Sequence, residues 1–247
     1  MKKFEFTGET KTISLFFRTA TLHRIRAVAE FGLVKVGDLG GWIEKEENLS
    51  HEGKAWVCGD AKVWGNAEVW GNAEVWGNAK VCGDAEVCGD AKVWGNAEVW
   101  GNAKVFSASH VLVIGAIGSR DDFTTFFRDK DNEITVKCGC FLGKIDKFLE
   151  KVTQTHGDSK YALVYRAAVE VAKLQIDLSL EKPLEVGDKV KIISPEENNP
   201  GKNWNTEMSQ YLGTIMTIKK VCKGGYYMEE DNEKWFWNNY RIAGKVE

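Results

Sequence analysis

Nine consecutive six-residue repeats occupy residues 55–108, each of the form Ala-x-Val-x-Gly-Asn/Asp until the last degrades to AKVFSA. A short fixed period indicates a chain that winds into stacked coils. The first four residues of a repeat alternate as a strand does, so Ala and Val share one face and the two variable residues share the other. Gly and Asn supply the positive φ that a sharp corner requires. The period predicts a three-sided β-helix with about 18 residues per coil.

Charge and volume decide which face lies inside. Val is apolar and Ala is small, whereas the Lys and Glu of the first variable position cannot be buried unpaired without a large free-energy cost. The second variable position, which holds Trp, Cys or Phe, shares the outward face with them. Counting in sixes extends the Ala column back through Leu49 to Ile43 and the Val column forward through Val111 to Ile117. The expected prism therefore runs from about Ile43 to about Ile117, or roughly four coils.

Outward aromatic side chains are the sharpest feature of the repeats. Residues 18 apart stack on one side of the prism, which gives the columns Trp64-Cys82-Trp100, Trp70-Cys88-Phe106 and Cys58-Trp76-Trp94. Exposed aromatics in rows usually mark contact surfaces. We therefore predict an interaction surface formed by Trp64, Trp70, Trp76, Trp94, Trp100 and Phe106. Either it packs against other parts of this chain or a second copy, or it stacks on a ring-bearing ligand or docks a host protein.

The repeats resemble the hexapeptide-repeat, left-handed β-helix family through Val57-Cys58-Gly59-Asp60-Ala61 and its eight successors. Members of that family include acyltransferases that act from acyl-CoA, in which a histidine between neighbouring subunits activates the acceptor. No histidine lies within the nine repeats here, and only His51 and His110 flank them. Acyl transfer is therefore an alternative that depends on these two residues.

Residues 1–53 are predicted to form a β-rich N-terminal cap, which a solenoid needs because an open coil exposes strand edges and core. Arg24 and Arg26 fall on one side of their strand and, together with Arg18, could hold a phosphate or a carboxylate. A solvated strand edge is the alternative interpretation. The β-helix segment itself is assigned to residues 54–117.

Residues 118–180 are predicted to form a small α+β segment, with a hairpin and two helices. The first helix, near Ile145–His156, has Ile145, Phe148, Leu149 and Val152 at amphipathic spacing, and Gly157 ends it. The second helix begins behind Asp158-Ser159 and has Leu163, Ala167, Val171 and Leu174 on one face.

Two stretches near these helices are candidate sites. The turn before the hairpin, Gly115-Ala-Ile-Gly118-Ser119-Arg120, could cradle an anion with backbone amides, Ser119 and Arg120, although an ordinary turn has the same residues. Cys140 with His156 is compatible with a nucleophile and base, but no orienting carboxylate is identifiable and a structural cysteine is the commoner case. No catalytic residue is assigned.

The six cysteines are interpreted as free thiols, because three of them stand where other repeats have Trp. Cys138-Gly-Cys140 could contribute to a metal site only with two further ligands, and none is suitably spaced. We predict neither a metal site nor a cofactor.

Residues 181–247 contain alternating strands separated by turns, which predict a small five-stranded barrel. The segment resembles SH3-like barrels through Val186-Gly-Asp-Lys-Val190, the Leu212-Gly-Thr-Ile215 step and the aromatic close at Trp235-Phe-Trp237. Such barrels are binding or stability modules. Its aromatic residues either line a peptide groove or fill the core, and we expect at least two of Tyr226, Tyr227, Trp235 and Trp237 to be core residues. The fold class is therefore mainly β.

Bulk properties exclude some partners. The formal net charge is −3, which gives no basic field for general binding to nucleic acid or to an anionic membrane. The opening MKKFEFTGETK lacks the apolar segment of a signal peptide, and no run approaches the roughly 18 apolar residues that span a bilayer. We expect the protein in the cytosol of the cell that makes it.

The whole arrangement is similar to a group of phage and prophage proteins of the polymer-forming type. LHRIRAV, GDLGGWIEKEENLSHEG, VIGAIGSRDDFTTFF and VKCGCF are the stretches with this resemblance. It implies an accessory protein of a mobile element, a class that includes proteins that sequester a host's immune nucleotide signals. We expect a non-enzymatic homo-oligomer, a dimer or trimer packed through its tryptophan-bearing sides, that binds a host protein or a small anionic, nucleotide-type ligand. A structural scaffold is the second expectation.

Overall fold

The structure is a computed structural model, and it describes residues 2–14, 19–179, 184–193, 206–222, 225–238 and 241–246. Arg18 and residues 181–183, at the start of the expected barrel segment, lie outside the described residues. The chain divides into two compact units, Met1–Glu181 and Lys182–Glu247. Each unit has hydrophobic core clusters of its own.

Three longer strands begin the first unit, namely β1 (Phe4–Ser14), β2 (Thr19–Ala27) and β3 (Leu39–Ile43), and a 3-10 helix follows at Glu46–Asn48. Nine two-residue strands come next, one for each repeat: β4 (Trp56–Val57), β5 (Lys62–Val63), β6 (Glu68–Val69), β7 (Glu74–Val75), β8 (Lys80–Val81), β9 (Glu86–Val87), β10 (Lys92–Val93), β11 (Glu98–Val99) and β12 (Lys104–Val105).

The repeats form a β-solenoid of about four turns, as the six-residue period predicts. Each short strand from β4 to β9 pairs in parallel with the strand three repeats later, so Lys80 lies between Lys62 and Glu98. Every Ala and Val of the repeat columns is fully buried and together they fill the interior. A glycine with positive φ turns each corner, as at Gly77 with φ 73°.

The expected N-terminal extension of the solenoid is confirmed, with a change of column. Ile43 pairs in parallel with Val63, and Leu49 bridges in parallel to Val69. Both residues therefore occupy the Val column rather than the Ala column. Eight residues instead of six separate Leu49 from Val57, and this two-residue insertion shifts the register.

The expected C-terminal extension is wrong. The solenoid ends at β12, and Val111–Ile117 instead forms β13, the first strand of an antiparallel sheet. Ser107 and Ala108 replace the Gly-Asn corner, and the Ser107 hydroxyl accepts a hydrogen bond from the Ser109 amide, so the chain enters a 3-10 helix at Ala108–His110. Without the corner geometry, the next strand cannot add a layer to the prism.

The cap at the N-terminus is continuous with one side of the solenoid, in the strand order β1-β2-β3-β5-β8-β11. The two pairings within β1, β2 and β3 are antiparallel. Phe4 and Ile25 of the cap belong to the same buried core as the repeat columns. The ammonium of Lys3 donates to the Ala55 carbonyl at 2.8 Å, and burial lowers the pKa of Lys3 to about 8. The cap therefore closes the first coil.

The α+β segment contains the sheet β13-β14-β15-β16, where β14 is Asp122–Arg128, β15 is Ile134–Cys138 and β16 is Phe141–Lys144, and the helices α1 (Ile145–His156) and α2 (Lys160–Gln175). α1 buries Ile145, Phe148 and Val152, as predicted, and ends at Gly157 with φ 56°.

The apolar face of α2 that the sequence indicates is not the face that packs on the sheet. Ala162, Tyr165, Ala168, Val169 and Ala172 are the buried residues, whereas Leu163, Ala167, Val171 and Leu174 face solvent. The helix is apolar on two sides, and periodicity alone does not decide which side packs on the sheet.

The second unit contains five strands in the order β20-β19-β18-β17-β21, and every strand pairing among its described residues is antiparallel. They are β17 (Lys189–Ile192), β18 (Ile215–Cys222), β19 (Gly225–Met228), β20 (Trp237–Asn238) and β21 (Ile242–Lys245), with a 3-10 helix at Thr206–Tyr211. Trp237 is a fully buried core residue, and Tyr226 and Trp235 pack against that core. In the described parts of the chain, neither helix has the length and apolar character to cross a bilayer.

Candidate functional site

The solenoid has three outer sides, which differ in what covers them. The first wall contains β3, β5, β8 and β11, the second wall contains β4, β7 and β10, and the third wall contains β6, β9 and β12. Their outward aromatic columns are the three that the sequence predicts. Whether each column is available to a partner depends on the rest of the first unit.

The first wall is covered by this chain. Trp64 and Cys82 are buried in a cluster with Leu22 of β2. Trp100, at the far end of the column, lies under the ammonium of Lys137, 4.2 Å from the ring centroid. Trp64 and Trp100 thus serve intramolecular packing rather than a free interaction surface.

An ion-pair cluster holds the sheet against this first wall. The Lys137 ammonium lies 3.0 Å from the Glu98 carboxylate, which also pairs with Lys80 at 2.7 Å. Burial raises the pKa of Glu98, but hydrogen bonds from Lys80 and Lys137 outweigh it and hold that pKa below its usual value. Glu98 is therefore ionised and fully engaged.

The third wall is covered at its C-terminal end. Phe106 and Cys88 are buried, and the Phe106 ring meets the His110 ring edge-on at 4.4 Å. The guanidinium of Arg128 lies over the Phe106 ring at 4.7 Å and donates to the Lys104 carbonyl at 3.3 Å. Trp70, at the other end of the column, is half-buried. Phe106 is consequently an internal contact.

The second wall retains a stacked aromatic pair, in which Trp94 is exposed and Trp76 is half-buried. Trp76 and Trp94 are stacked, with ring centroids 5.6 Å apart and an interplanar angle of 15°, and Trp94 is 44% exposed. Their repeats are adjacent layers of one wall, so the indoles lie directly above one another. We call the surface formed by Cys58, Glu74, Trp76, Lys92 and Trp94 the aromatic wall.

Charged side chains flank this stack. Lys92 and Glu74 occupy the first variable position of the same two layers, and their charged atoms are 3.9 Å apart with both side chains about half exposed. Burial, and then the Glu74 carboxylate, raise the pKa of the Cys58 thiol, so Cys58 is an apolar neighbour rather than a thiolate. A flat π surface beside an exposed ammonium suits a planar ring that carries negative charge.

One residue of the second wall was missed by the sequence analysis. Trp56 stands in the first repeat where the other repeats have Lys or Glu, and it is buried edge-on against Phe31, with centroids 5.3 Å apart. A tryptophan at a charged position was the signal that could have revealed this contact. The loop between β2 and β3 therefore covers the N-terminal end of the second wall and leaves Trp94 exposed and Trp76 half-buried.

The arginine pair of the cap is engaged within the chain. Arg26 forms an ion pair with Glu5 on the neighbouring strand at 2.5 Å. The Arg24 guanidinium lies 5.2 Å from the Trp42 ring centroid. Both residues are on β2, and each is matched to a different neighbour, which weakens the interpretation of Arg24 and Arg26 as a joint anion site.

The expected anion cradle is a packed 3-10 turn at Gly118–Arg120. The Ser119 hydroxyl lies 3.5 Å from Nε2 of His156, and Arg120 lies 3.8 Å from the Asp122 carboxylate. A side chain at Gly118 would collide with Tyr165, so the turn is pressed against α2. Ser119 therefore meets the helices, whereas the Arg120 side chain remains largely exposed.

His156 lies in an aromatic and hydroxyl environment. The centroid of its ring is 5.7 Å from that of the Tyr165 ring. The Tyr165 hydroxyl lies 4.0 Å from the thiol of Cys138, whereas Cys140 is exposed. Burial and then Cys138 raise the pKa of Tyr165. This cluster was not foreseen, because its members come from separate elements. Among the described residues, no three His, Cys, Asp or Glu side chains converge in a way that could hold a metal ion.

The two histidines that acyl transfer would require have structural contacts. His51 stacks on Phe4 with centroids 4.3 Å apart, and its Nδ1 accepts from the Lys3 amide at 3.2 Å. His110 is fully buried, and its Nδ1 accepts from the Phe106 amide at 3.4 Å.

Searches against protein-family models and against curated proteins find no match to this chain. What the chain does is therefore inferred from its own residues. Of the six predicted surface residues, Trp94 is exposed, and it stacks on the half-buried Trp76.

Proposed function

We propose that the chain is a non-enzymatic binding protein and that its aromatic wall binds a planar, negatively charged ligand of the nucleotide type. The observation that supports this is the parallel stack of the exposed Trp94 on the half-buried Trp76, beside Lys92. Stacking on an aromatic side chain contributes about 1–3 kcal/mol per base in nucleic-acid binders. An indole pair kept outside a well-filled core is consistent with a surface that a ligand covers.

The repeat pattern and the strand arrangement support a more specific assignment of the fold. The repeat form supports a left-handed solenoid of the hexapeptide-repeat type, and five antiparallel strands support an SH3-like second unit. The stretches that resemble those of phage and prophage proteins support an accessory protein of a mobile element that acts in the host cytosol. In that setting the ligand is an immune nucleotide signal, which the protein sequesters without consuming it, or a nucleotide-bearing host factor.

Titration of the full chain with AMP, cyclic dinucleotides, cyclic trinucleotides, ADP-ribose and acyl-CoA tests the proposal by tryptophan fluorescence and thermal shift. Ligand that binds the folded state at a hundredfold excess over Kd stabilises it by about 2.7 kcal/mol. We expect at least one nucleotide to quench fluorescence and raise the unfolding midpoint, while chromatography shows it unchanged. Trp76→Gln with Trp94→Gln should remove the shift.

The control is Leu142→Gln, which removes an apolar side chain of the same 44% exposure from β16 and should leave binding intact. Absence of a shift with every nucleotide would contradict the proposal, and large assemblies would then favour a scaffold. Turnover of acyl-CoA that is lost in His51→Ala or His110→Ala would instead identify an acyltransferase.

A further inference from the structure

The last layer of the solenoid is capped on two of its walls. In the earlier layers, backbone amides donate to carbonyls of the next coil, as the Trp76 amide does at 3.0 Å. On the first wall, the last-layer amide of Glu98 donates to the Thr125 hydroxyl at 3.0 Å. On the third wall, the Phe106 amide donates to Nδ1 of His110 at 3.4 Å. The last strand of the second wall, β10, pairs only with β7 of the coil before it.

The amides of β10 that would bond to a next coil are unpaired. We define the β10 edge as the backbone amides of Lys92, Trp94 and Asn96, for which the described residues provide no acceptor. The equivalent three amides one coil earlier donate at 2.9 to 3.0 Å. A Cβ on Gly77 would lie 3.1 Å from the amide nitrogen of Gly95, whereas a Cβ on Gly95 would meet nothing within 4 Å. Because buried amides are nearly always paired, the unpaired β10 edge faces solvent.

Two side chains add positive character to the same edge. Oδ1 of Asn96 accepts from Nδ2 of Asn78 at 3.4 Å, and this bond assigns the Asn96 Nδ2 as a donor, for which the described part of the chain provides no acceptor. The Lys92 side chain is 50% exposed, and its ammonium lies 3.9 Å from the Glu74 carboxylate. Convergent N–H groups at the edge of a sheet form an anion-binding surface.

The open face of the Trp94 indole points the same way as these donors. Trp76 covers the other face in a stack with an interplanar angle of 15°, and the two residues belong to successive layers along the solenoid. The open face therefore looks toward the position of the next layer, as the β10 edge does. Trp94 and Asn96 are two residues apart, at most about 7 Å of backbone. The ribose of a nucleotide spans such a distance between its base and its 5′-phosphate.

We propose that the ligand of the aromatic wall is a 5′-phosphorylated nucleoside, free or as a unit of a larger nucleotide. Its base stacks on the open face of Trp94, and its phosphate binds the β10 edge at Asn96. The base continues the tryptophan column, and the phosphate oxygens accept the hydrogen bonds that carbonyls accept in the layers below. Lys92 contributes a positive charge in the same layer. This inference rests on the proposed function and specifies which part of the ligand meets which part of the wall.

Calorimetric titration of the full chain with AMP and with adenosine tests the phosphate contact. We expect one AMP per chain, bound at least about tenfold more tightly than adenosine, because only the phosphate accepts charge-assisted hydrogen bonds from the β10 edge. Asn96→Asp should remove that advantage and leave adenosine binding unchanged, since it places a carboxylate at the phosphate position. An Asp there keeps the ladder of corner residues, because Asp84 accepts from Asn66 at 3.0 Å in a neighbouring column.

Asn102→Asp is the matched control. It adds the same charge at the last corner between the first and third walls, where the Asn102 carbonyl accepts from the Lys130 amide at 3.0 Å. This protein should bind AMP as the wild type does. Equal affinity of the wild type for AMP and adenosine would overturn the phosphate contact and leave the proposed stacking intact, as would an Asn96→Asp protein that still prefers AMP. A wild-type chain that binds neither ligand would overturn the proposed function and this inference with it.

Discussion

At the scale of single residues, His110 shows how a side chain can seal the end of the solenoid. It is fully buried beside Phe106, and its Nδ1 must be unprotonated to accept from the Phe106 amide. Burial, and then the Arg128 guanidinium, lower the pKa of His110 from 6.5 to about 4. The neutral imidazole is therefore part of the folded state.

This pKa predicts acid sensitivity. Below pH 6.5 the unfolded chain protonates His110 while the folded chain does not, so stability is present above that pH and is lost as the pH falls toward 4. The contribution lost between pH 7.5 and pH 5 is about 2 kcal/mol. Gln cannot be protonated, so the stability of His110→Gln should fall by about 2 kcal/mol less than that of the wild type between pH 7.5 and pH 5. Denaturant unfolding of both proteins at the two pH values measures this difference. Parallel pH dependence of the two proteins would contradict this.

At the scale of elements, the corners of the solenoid stack as closely as the strands. Gly83 has φ 79°, and a Cβ there would lie 2.9 Å from the backbone of Gly101 in the next coil. Gly95 has φ 64°, but a Cβ there would meet nothing within 4 Å. The two glycines share the backbone requirement and differ in the space around them.

Alanine substitution separates these two effects. Gly95→Ala should cost about 1 kcal/mol, the price of placing an L residue in the left-handed region. Gly83→Ala should cost at least twice that, because the next coil must also shift. Guanidinium unfolding of both variants provides the comparison. Equal losses would show that corner stacking does not constrain the coil.

The elements also show what sequence could and could not predict. Alternation within the repeats identified the buried Ala and Val columns and the outward aromatics, since those are local consequences of a strand. The covering of Phe106 by Arg128 was not predictable, because it depends on packing between elements that no period relates. The same limit explains α2, where two apolar faces compete and only the sheet beneath selects Ala168 and Val169 over Val171.

At the scale of the whole molecule, the chain contains two compact units with separate cores. A fragment of residues 1–181 retains every strand of the solenoid and both helices. We expect this fragment to unfold cooperatively in calorimetry. Its circular dichroism spectrum should equal the spectrum of the intact chain after the contribution of the second unit is subtracted. A fragment without a cooperative transition would show that the two units depend on each other for folding.

The candidate site was predicted only in part at this scale. The sequence indicated six surface aromatics, and the first unit uses Trp64, Trp100 and Phe106 for its own packing. Which wall remains exposed depends on where the cap and the following sheet attach, and that is set by insertions and corner changes around Leu49 and Ser107. Such local irregularities are visible in the sequence, but their direction in space is not.

The register of the solenoid finally limits how its length can change over generations. Each repeat advances the chain by one side of the prism. Equivalent positions therefore stack on each other only after 18 residues, as the corner residues Asn66 and Asp84 do. Gain or loss of a single repeat would rotate everything downstream by a third of a revolution, and Arg128 would then face another column. Near-identical repeats promote strand slippage during DNA replication. We therefore expect inherited length variants to differ by whole coils, so that the molecule grows or shrinks in steps of a full revolution.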